Sequence, residues 1–240
     1  MKTIALIPAR LESQRFPNKL IKKLHGVPII VRTYLAALNS KLFDQVYVVT
    51  GNDEIIDLIE SKDGLTFKSK GIHQSGTDRV AEAAKEIDHD IVVNLQGDEP
   101  FINIDAINNL ISSFEDNTVK MASLMTSFNS FDEINNPNNV KVTVDKNNNA
   151  IFFSRSPIPD GENEIKKFNR HIGVYAFRKN TLIKFSSLNR SKNEIYQNLE
   201  GNRAIDNLIP IKMIKIDFHG ISIDTEKDFI EAEKYLSKNA

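Results

Sequence analysis

Three cations stand close together early in the chain, in the segment Ile7-Pro-Ala-Arg10-Leu-Glu-Ser-Gln-Arg15-Phe-Pro-Asn-Lys19. An apolar run over residues 3–7 precedes them and ends at Pro8. In α/β proteins ligands bind beyond the carboxyl ends of strands. Arg10, Arg15 and Lys19 after a first strand therefore form a candidate phosphate site, the plainer alternative being a solvated basic loop. Two acids fall in comparable places. Gln96-Gly-Asp-Glu-Pro100 follows the apolar run 90–95, and Asp98 there suits Mg²⁺, which takes one or two carboxylates alongside phosphates and water. Its alternative is a turn whose acids cap a helix beginning near residue 104. Asp224 ends the stretch Ile221-Ser-Ile-Asp224, read as a short strand; it is either a second metal ligand or, with Thr225, the N-cap of a closing helix.

Ser75-Gly-Thr-Asp-Arg79 opens a helix. Hydroxyls and free amides at a helix N-terminus bind anions or polar base edges. The alternative is an ordinary cap, with Asp78 in the first turn and Arg79 solvated. Later, Arg155 could grip a carboxylate bidentately. His171 and Tyr175 are four apart on a strand and share a face. Glu200 and Arg203 are one helical turn apart, the spacing of an i,i+3 pair. Nucleophilic catalysis has no support: there is no cysteine and no G-x-S-x-G. A P-loop and the G-x-G-x-x-G fingerprint are also absent.

These residues need a scaffold that carries them to one edge. Apolar, β-branched runs at 3–7, 45–50, 65–68, 90–95 and 119–126 alternate with helical patterns at 28–39, 53–61, 76–87 and 104–114. That alternation implies an open, mostly parallel sheet with helices on both faces. After residue 129 the rhythm changes. Runs 140–145 and 150–155 flank Lys146-Asn-Asn-Asn149 and read as an antiparallel hairpin. Residues 156–167 read as a loop, 171–177 as a strand, 181–185 and 194–205 as helices, and 211–216 as a strand, before a last helix. Residues 129–209 are read as an insertion on one domain spanning 1–240.

Composition bounds the rest. In 240 residues, Lys+Arg 31 nearly balance Asp+Glu 32, so no basic field argues for nucleic acid. The lack of cysteine leaves oxygen or histidine ligands for any metal. No uninterrupted apolar run is long enough for a membrane helix and no leader pattern precedes the first strand, so the expectation is a soluble, cytoplasmic protein without membrane insertion.

With these residues in view the chain resembles a known family. The loop from Ile7 to Lys19 is similar to the signature loop of nucleotide-sugar pyrophosphorylases. With His73-Gln-Ser-Gly-Thr-Asp-Arg79, Asn94-Leu-Gln-Gly-Asp-Glu-Pro100, Phe153-Ser-Arg155, Arg170-His-Ile-Gly-Val-Tyr175 and Ile223-Asp-Thr, in that order, it resembles the 3-deoxy-manno-octulosonate (Kdo) cytidylyltransferases, the CMP-Kdo synthetases. The resemblance implies a Rossmann-like, mostly parallel twisted sheet of the nucleotide-diphospho-sugar transferase type, flanked by helices, with a smaller inserted region for sugar binding and dimerisation. It implies CTP + Kdo → CMP-Kdo + diphosphate, supplying sugar for lipopolysaccharide, with Mg²⁺ as cofactor and a homodimer as the assembly. On this resemblance Arg10, Arg15 and Lys19 hold the triphosphate, and Ala9 with Ser75, Gly76, Thr77 and Arg79 meets the cytidine. Asp98 and Asp224 hold the metal, and Gln96, Arg155, His171, Tyr175 and Glu200 line the sugar pocket. Arg10, Lys19 and Asp98 form the catalytic set.

The chain departs from the family pattern at Leu11 and Glu12, at Asn18 where a glycine is usual, and at Leu199-Glu-Gly-Asn-Arg203, where Leu-Glu-Gln-Leu-Arg is usual. Glu12 is unexpected beside a triphosphate. Gly201 and Asn202 are expected to weaken their helix by about 1 kcal/mol. The departures leave 8-amino-Kdo or a nonulosonate open as the acid. A non-catalytic nucleotide-binding module is a rival, and so is a glycosyltransferase, which should carry an Asp-x-Asp metal motif, taken here to be absent, an expectation corrected below.

Overall fold

A computed structural model describes residues 1–12, 16–73, 75–217 and 222–238. The chain divides into two compact units, Met1–Ile107 with Gly220–Ala240, and Asn108–His219. The stretch 129–209 lies within the second.

The first unit begins with β1 (Thr3–Pro8), followed by a short hairpin, β2 (Lys23–Leu24) and β3 (Val27–Pro28). Then come α1 (Ile29–Asn39), β4 (Gln45–Thr50), α2 (Asp53–Glu60), β5 (Leu65–Lys68), α3 (Gly76–Glu86), β6 (Ile91–Asn94) and α4 (Ile104–Ser112), which runs on into the second unit. A C-terminal helix, Glu226–Lys238, also belongs to the first unit. The strands run parallel in the order β6-β1-β4-β5. Thr3 to Ile7 are all buried, as a strand covered on both faces requires. Thr3, Ile4, Ala5 and Leu6 pair with Ile91 to Asn94, so the loops after β1 and β6 leave the sheet side by side. This is the edge that the early cations and the Gln96–Pro100 turn were expected to share.

The β2–β3 hairpin was not evident in the sequence. His25 and Gly26 both take positive φ, 46° and 78°, as the tightest hairpin turns require. Arg32 on α1 ties it down, donating from Nε to Leu24 O at 2.7 Å. Asn18 is also left-handed, at φ 55°. Asparagine tolerates that conformation better than most other non-glycine residues, so Asn18 suits the left-handed position that it occupies.

The second unit contains β7 (Met121–Ser127), α5 (Phe131–Asn135), β8 (Lys141–Val144), β9 (Ala150–Ser154), β10 (Asn169–Arg178), α6 (Lys179–Ser186), α7 (Lys192–Gln197), α8 (Gly201–Asp206) and β11 (Ile211–Lys215). β7 is its central strand, antiparallel to β10 and parallel to β11. The expected hairpin is β8–β9, and it joins β10 through Lys141 and Arg170.

Two expectations need correction. The single helix over 194–205 is two helices, because Asn198 adopts the left-handed conformation (φ 53°) and ends α7. Gly201 and Asn202 therefore sit in the first turn of a new helix, not in a helix interior, and the propensity argument does not apply. Their roles are specific. A Cβ at Gly201 would lie 2.6 Å from Phe153 Cε2 and 2.9 Å from Tyr175 Oη, so only glycine fits. Asn202 is fully buried; its Oδ1 accepts from Phe153 N at 3.0 Å and its Nδ2 donates to Phe153 O at 2.9 Å. It supplies β9 with the backbone partners that a neighbouring strand would give. The strand expected to end at Asp224 is the second correction: residues 222–224 have no regular secondary structure, and residue 221 lies outside the described residues.

The enclosure of Gly201 sets an outcome. Gly201→Ala forces the Phe153 ring aside, and overpacking of this kind costs about 1–3 kcal/mol. Urea denaturation should show a lower midpoint with an unchanged slope.

Candidate active site

Lys19 begins a 3-10 turn, Lys19–Ile21, directly after the left-handed Asn18. Its side chain is 13% exposed and its ammonium donates to two carboxylates, Asp98 Oδ2 and, at 3.1 Å, Asp224 Oδ1. The two acids arrive from distant parts of the chain. Asp98 follows β6, where Thr33 Oγ1 from α1 donates to Gly97 O at 3.0 Å. Residues 222–224 are fastened beside it by Ile223 N, which donates to Asp98 O at 3.0 Å.

The helices that these acids could have capped have other caps. Asn103 Oδ1 accepts from Ala106 N at 2.8 Å at the start of α4. Thr225 Oγ1 accepts from Asp228 N at 3.3 Å at the start of the C-terminal helix, while Asp228 Oδ2 accepts from Thr225 N and Asp224 N. Both carboxylates are thereby left to face Lys19. Burial works hardest on the ammonium and opposes its charge, but the attraction of Asp98 and then Asp224 outweighs it and raises the pKa. Lys19 is charged at neutral pH. The ammonium is thus met by two carboxylates from separate parts of the chain.

Two further candidate cations of the first unit, Arg10 and Arg79, lie within electrostatic reach of one another. Arg10 is exposed. Arg79 is half-buried, and its pKa is lowered, chiefly by burial and then by the charge of Arg10; Glu82 and Glu12 act in the opposite sense. Two like charges near one another favour an incoming anion. Glu12, unexpected beside such a site, offsets part of the Arg10–Arg79 repulsion. Arg15 lies outside the described residues. Ala9 is buried and its amide donates to Val49 O at 3.0 Å.

At the start of α3, Ser75 is the N-cap and its Oγ accepts from Asp78 N at 3.1 Å. Gly76 lies against the ring of Pro8, within 3.1 Å of where its Cβ would stand. The Thr77 hydroxyl is buried and accepts from Asn94 Nδ2 at 2.9 Å, bracing α3 on β6. Gln96 is half-buried and directs its side-chain oxygen toward Gly76.

The other expected pocket residues belong to the second unit. Arg155 is held by its neighbours: Nε donates to Gln197 O at 3.0 Å and Nη1 to Pro137 O at 3.1 Å. Beneath it, Lys141 is fully buried and donates to Asn136 O and Arg155 O, at 2.9 and 2.8 Å. Burial, then the nearby Arg155 charge, brings its pKa down to about 8. His171 stacks edgewise on Phe153, with ring centroids 4.7 Å apart, and lies 5.3 Å from Tyr175. Ser123 Oγ donates to Val174 O at 2.8 Å, so it accepts from His171 Nε2 at 2.9 Å; the imidazole carries its proton on Nε2. Burial pushes the His171 pKa down to about 3. Tyr175 is raised well above its ordinary value by burial, then by Glu200 and Glu194. Glu200 is the residue immediately before α8.

Sequence reading missed the group that organises this cluster. Arg203 and Glu194 form a buried two-point ion pair, Nε to Oε2 at 2.8 Å and Nη2 to Oε1 at 2.6 Å. The guanidinium also lies over Phe185, 4.7 Å from its centroid. Arg203 thus has a strong partner in Glu194, which the i,i+3 spacing to Glu200 did not indicate. Ser191-x-x-Glu194, a capping box at the start of α7, was the readable signal that Glu194 has a structural role.

Asp98 and Asp224 both present carboxylate oxygens to a position already occupied by positive charge, which fits a hard divalent cation. Among the described residues no group of three or more His, Cys, Asp or Glu side chains gathers as a metal site, so a metal here would take at most these two carboxylates from them. An Asp-x-Asp spacing does occur, at Asp88-His-Asp90, but it precedes β6. Asp90 Oδ2 accepts from Lys2 N at 2.7 Å and Asp88 pairs with Lys2 Nζ at 3.4 Å, away from the edge where Lys19 lies. This disposes of the glycosyltransferase rival. Among the described residues no helix is long and apolar enough to cross a membrane.

A parallel α/β unit with a cation clamped between acids beyond the carboxyl ends of its strands is the framework of a nucleotide-handling transferase. The chain belongs to the cytidylyltransferase family, whose model matches residues 4–214. It is 46% identical to a 3-deoxy-manno-octulosonate cytidylyltransferase of Flavobacterium johnsoniae, covering 98% of this chain and 99% of the relative. It is 42% identical to the protein of that name from Christiangramia forsetii, over 98% of this chain and 97% of the relative. The structure of a CMP:2-keto-3-deoxy-manno-octonic acid synthetase complexed with CTP matches with a TM-score of 0.94 at 31% identity, over 100% of both chains. A 4-diphosphocytidyl-2C-methyl-D-erythritol synthase from Anaerococcus prevotii shares the fold at a TM-score of 0.66 and 18% identity.

The depressed His171 pKa carries a pH signature. The folded state binds fewer protons than the unfolded chain between about pH 6.5 and 3, so the stability from neutral His171 is present above 6.5 and lost as pH falls through that window. His171→Gln should narrow the difference between urea midpoints at neutral and mildly acidic pH.

Proposed function

We propose that this protein is a CTP-dependent cytidylyltransferase that activates Kdo, forming CMP-Kdo and diphosphate for lipopolysaccharide synthesis. The observation that carries the mechanism is Lys19 held between Asp98 and Asp224 beyond β1 and β6. In the reaction the sugar's anomeric hydroxyl oxygen bonds to the α-phosphorus of CTP, and the bond from that phosphorus to the diphosphate breaks. The hydroxyl proton is released, with no side chain assigned as its base. Such transfer depends on alignment and charge neutralisation more than on covalent help.

Arg10 and Lys19 carry charge to the triphosphate, and Arg79 adds a partly desolvated cation nearby. Asp98 and Asp224 would hold Mg²⁺, which when bound neutralises phosphate charge. The backbone at Ala9 and the start of α3 meet the cytidine. On the second unit, Arg155, His171, Tyr175 and Glu200 receive the sugar acid. The fixed Nε2–H tautomer of His171 supports this role, since it leaves Nδ1 as an acceptor for a hydroxyl. Exposed apolar side chains on the second unit, Ile151, Ile195, Tyr196 and Leu208, support a homodimer. The cytoplasm, where CTP is made, is its expected location.

Diphosphate release should be measured with CTP, Mg²⁺ and a panel of Kdo, 8-amino-Kdo and a nonulosonate. Release with Kdo is expected. Release with none of the acids would overturn the enzymatic reading, and release only with another acid would overturn the substrate. Asp98→Asn should abolish turnover while leaving circular dichroism and thermal midpoint near those of the parent. Near-normal turnover at saturating Mg²⁺ would remove Asp98 from the metal site.

A further inference from the structure

One cluster of the first unit has no part in the chemistry above. Glu82 stands on α3, beyond the turn that opens it, and its carboxylate gathers three donors from the segment that leads into that helix. Ser69 Oγ donates to Oε2 at 2.6 Å, His73 Nε2 approaches the same oxygen at 2.7 Å, and Lys70 N donates to Oε1 at 2.9 Å. His73 Nε2 also lies 3.2 Å from Ser69 Oγ. With the serine proton directed to Glu82, the imidazole N–H is shared between both oxygens. Gly71 makes room for this: a Cβ there would lie 2.9 Å from two atoms of the His73 ring. The other end of the segment is fixed where Ser69 N donates to Thr50 O at 2.8 Å.

The Glu82 side chain is only 22% exposed, yet its pKa is brought down to about 2. Burial alone would raise it; the Ser69, Lys70 and His73 hydrogen bonds overcome that. A carboxylate is an acceptor only, so all three donors are satisfied at once while it is ionised. The same charge supports that of Arg79.

We propose that Glu82 is a positioning residue for cytidine recognition: it draws residues 69–73 back onto α3 and so fixes where Ser75, Gly76 and Arg79 stand. This rests on the proposed role of the α3 N-terminus in holding the cytidine. Glu82 itself touches neither substrate nor metal.

The test is Glu82→Gln in the full chain. The amide keeps the shape but turns one acceptor into a donor, which must face either Lys70 N–H or the Ser69–His73 pair. Loss of one such bond corresponds to about a tenfold rise in KM for CTP. The expected result is that rise, with kcat and KM for Kdo within about twofold of the parent. The preference for CTP over UTP should fall as well, because a loosened helix start places the base less well. Ser69→Ala should show the same pattern, more weakly, and serves alone should Glu82→Gln fail to fold. Unchanged KM for CTP in both variants would overturn the proposal. So would a parallel loss of kcat and of thermal stability with CTP preference intact, which is the mark of a merely structural role. Absence of CTP turnover in the parent protein would instead overturn the proposed function.

Discussion

The site depends on one ammonium group shared by two carboxylates. Lys19, Asp98 and Asp224 come from a loop after the first strand, a turn after β6 and the approach to the last helix. None of the three segments would place its side chain there alone. A largely buried ion pair is weak evidence for stability, since desolvation can exceed the Coulombic gain. The cluster therefore reads as a functional arrangement that the fold maintains. Its supports are ordinary: Asn18 in the left-handed conformation sets the angle of Lys19, Thr33 holds Gly97 O, and Ile223 N holds Asp98 O. Asn103 and Thr225 cap the adjoining helices.

The second unit follows a different logic, in which polar groups are buried and matched one against another. Glu194 serves as the capping-box acid of α7 and as the partner of Arg203 on α8, so one carboxylate joins two short helices. Asn202 completes the backbone bonding of Phe153, and Lys141 ties the turn at Asn136 to the end of β9. Tyr175, His171 and Arg155 are thereby held on a framework of satisfied polar contacts. Glu194 is also approached by Arg190, whose Nε lies 3.3 Å from Oε1, so its buried charge is met from two sides.

Much of the first unit was legible because its signals are local. β4 and β5 occupy the runs read from the sequence, and β1 extends that reading only to Pro8. The acids and cations of the site could be named because they follow those strands. Their mutual contact could not, since the attraction of Lys19 to residue 224 depends on the tertiary path. The break at Asn198 was missed because apolar spacing continues across it; a single left-handed residue changes the backbone without changing the pattern. Asn18 and Gly201 read as departures from the family for the same reason. Both are answered by conformation and packing that composition does not display. Arg203 was noted for its neighbour in sequence, while its strong partner is nine residues away.

Lys19 and Asp224 are separated by 205 positions, yet share a hydrogen bond. During synthesis the ammonium and its first carboxylate, Asp98, leave the ribosome long before the second. A nascent chain that has released the whole parallel sheet of the first unit still lacks half of its acid pair. The three-group cluster is complete only when the segment before the last helix docks.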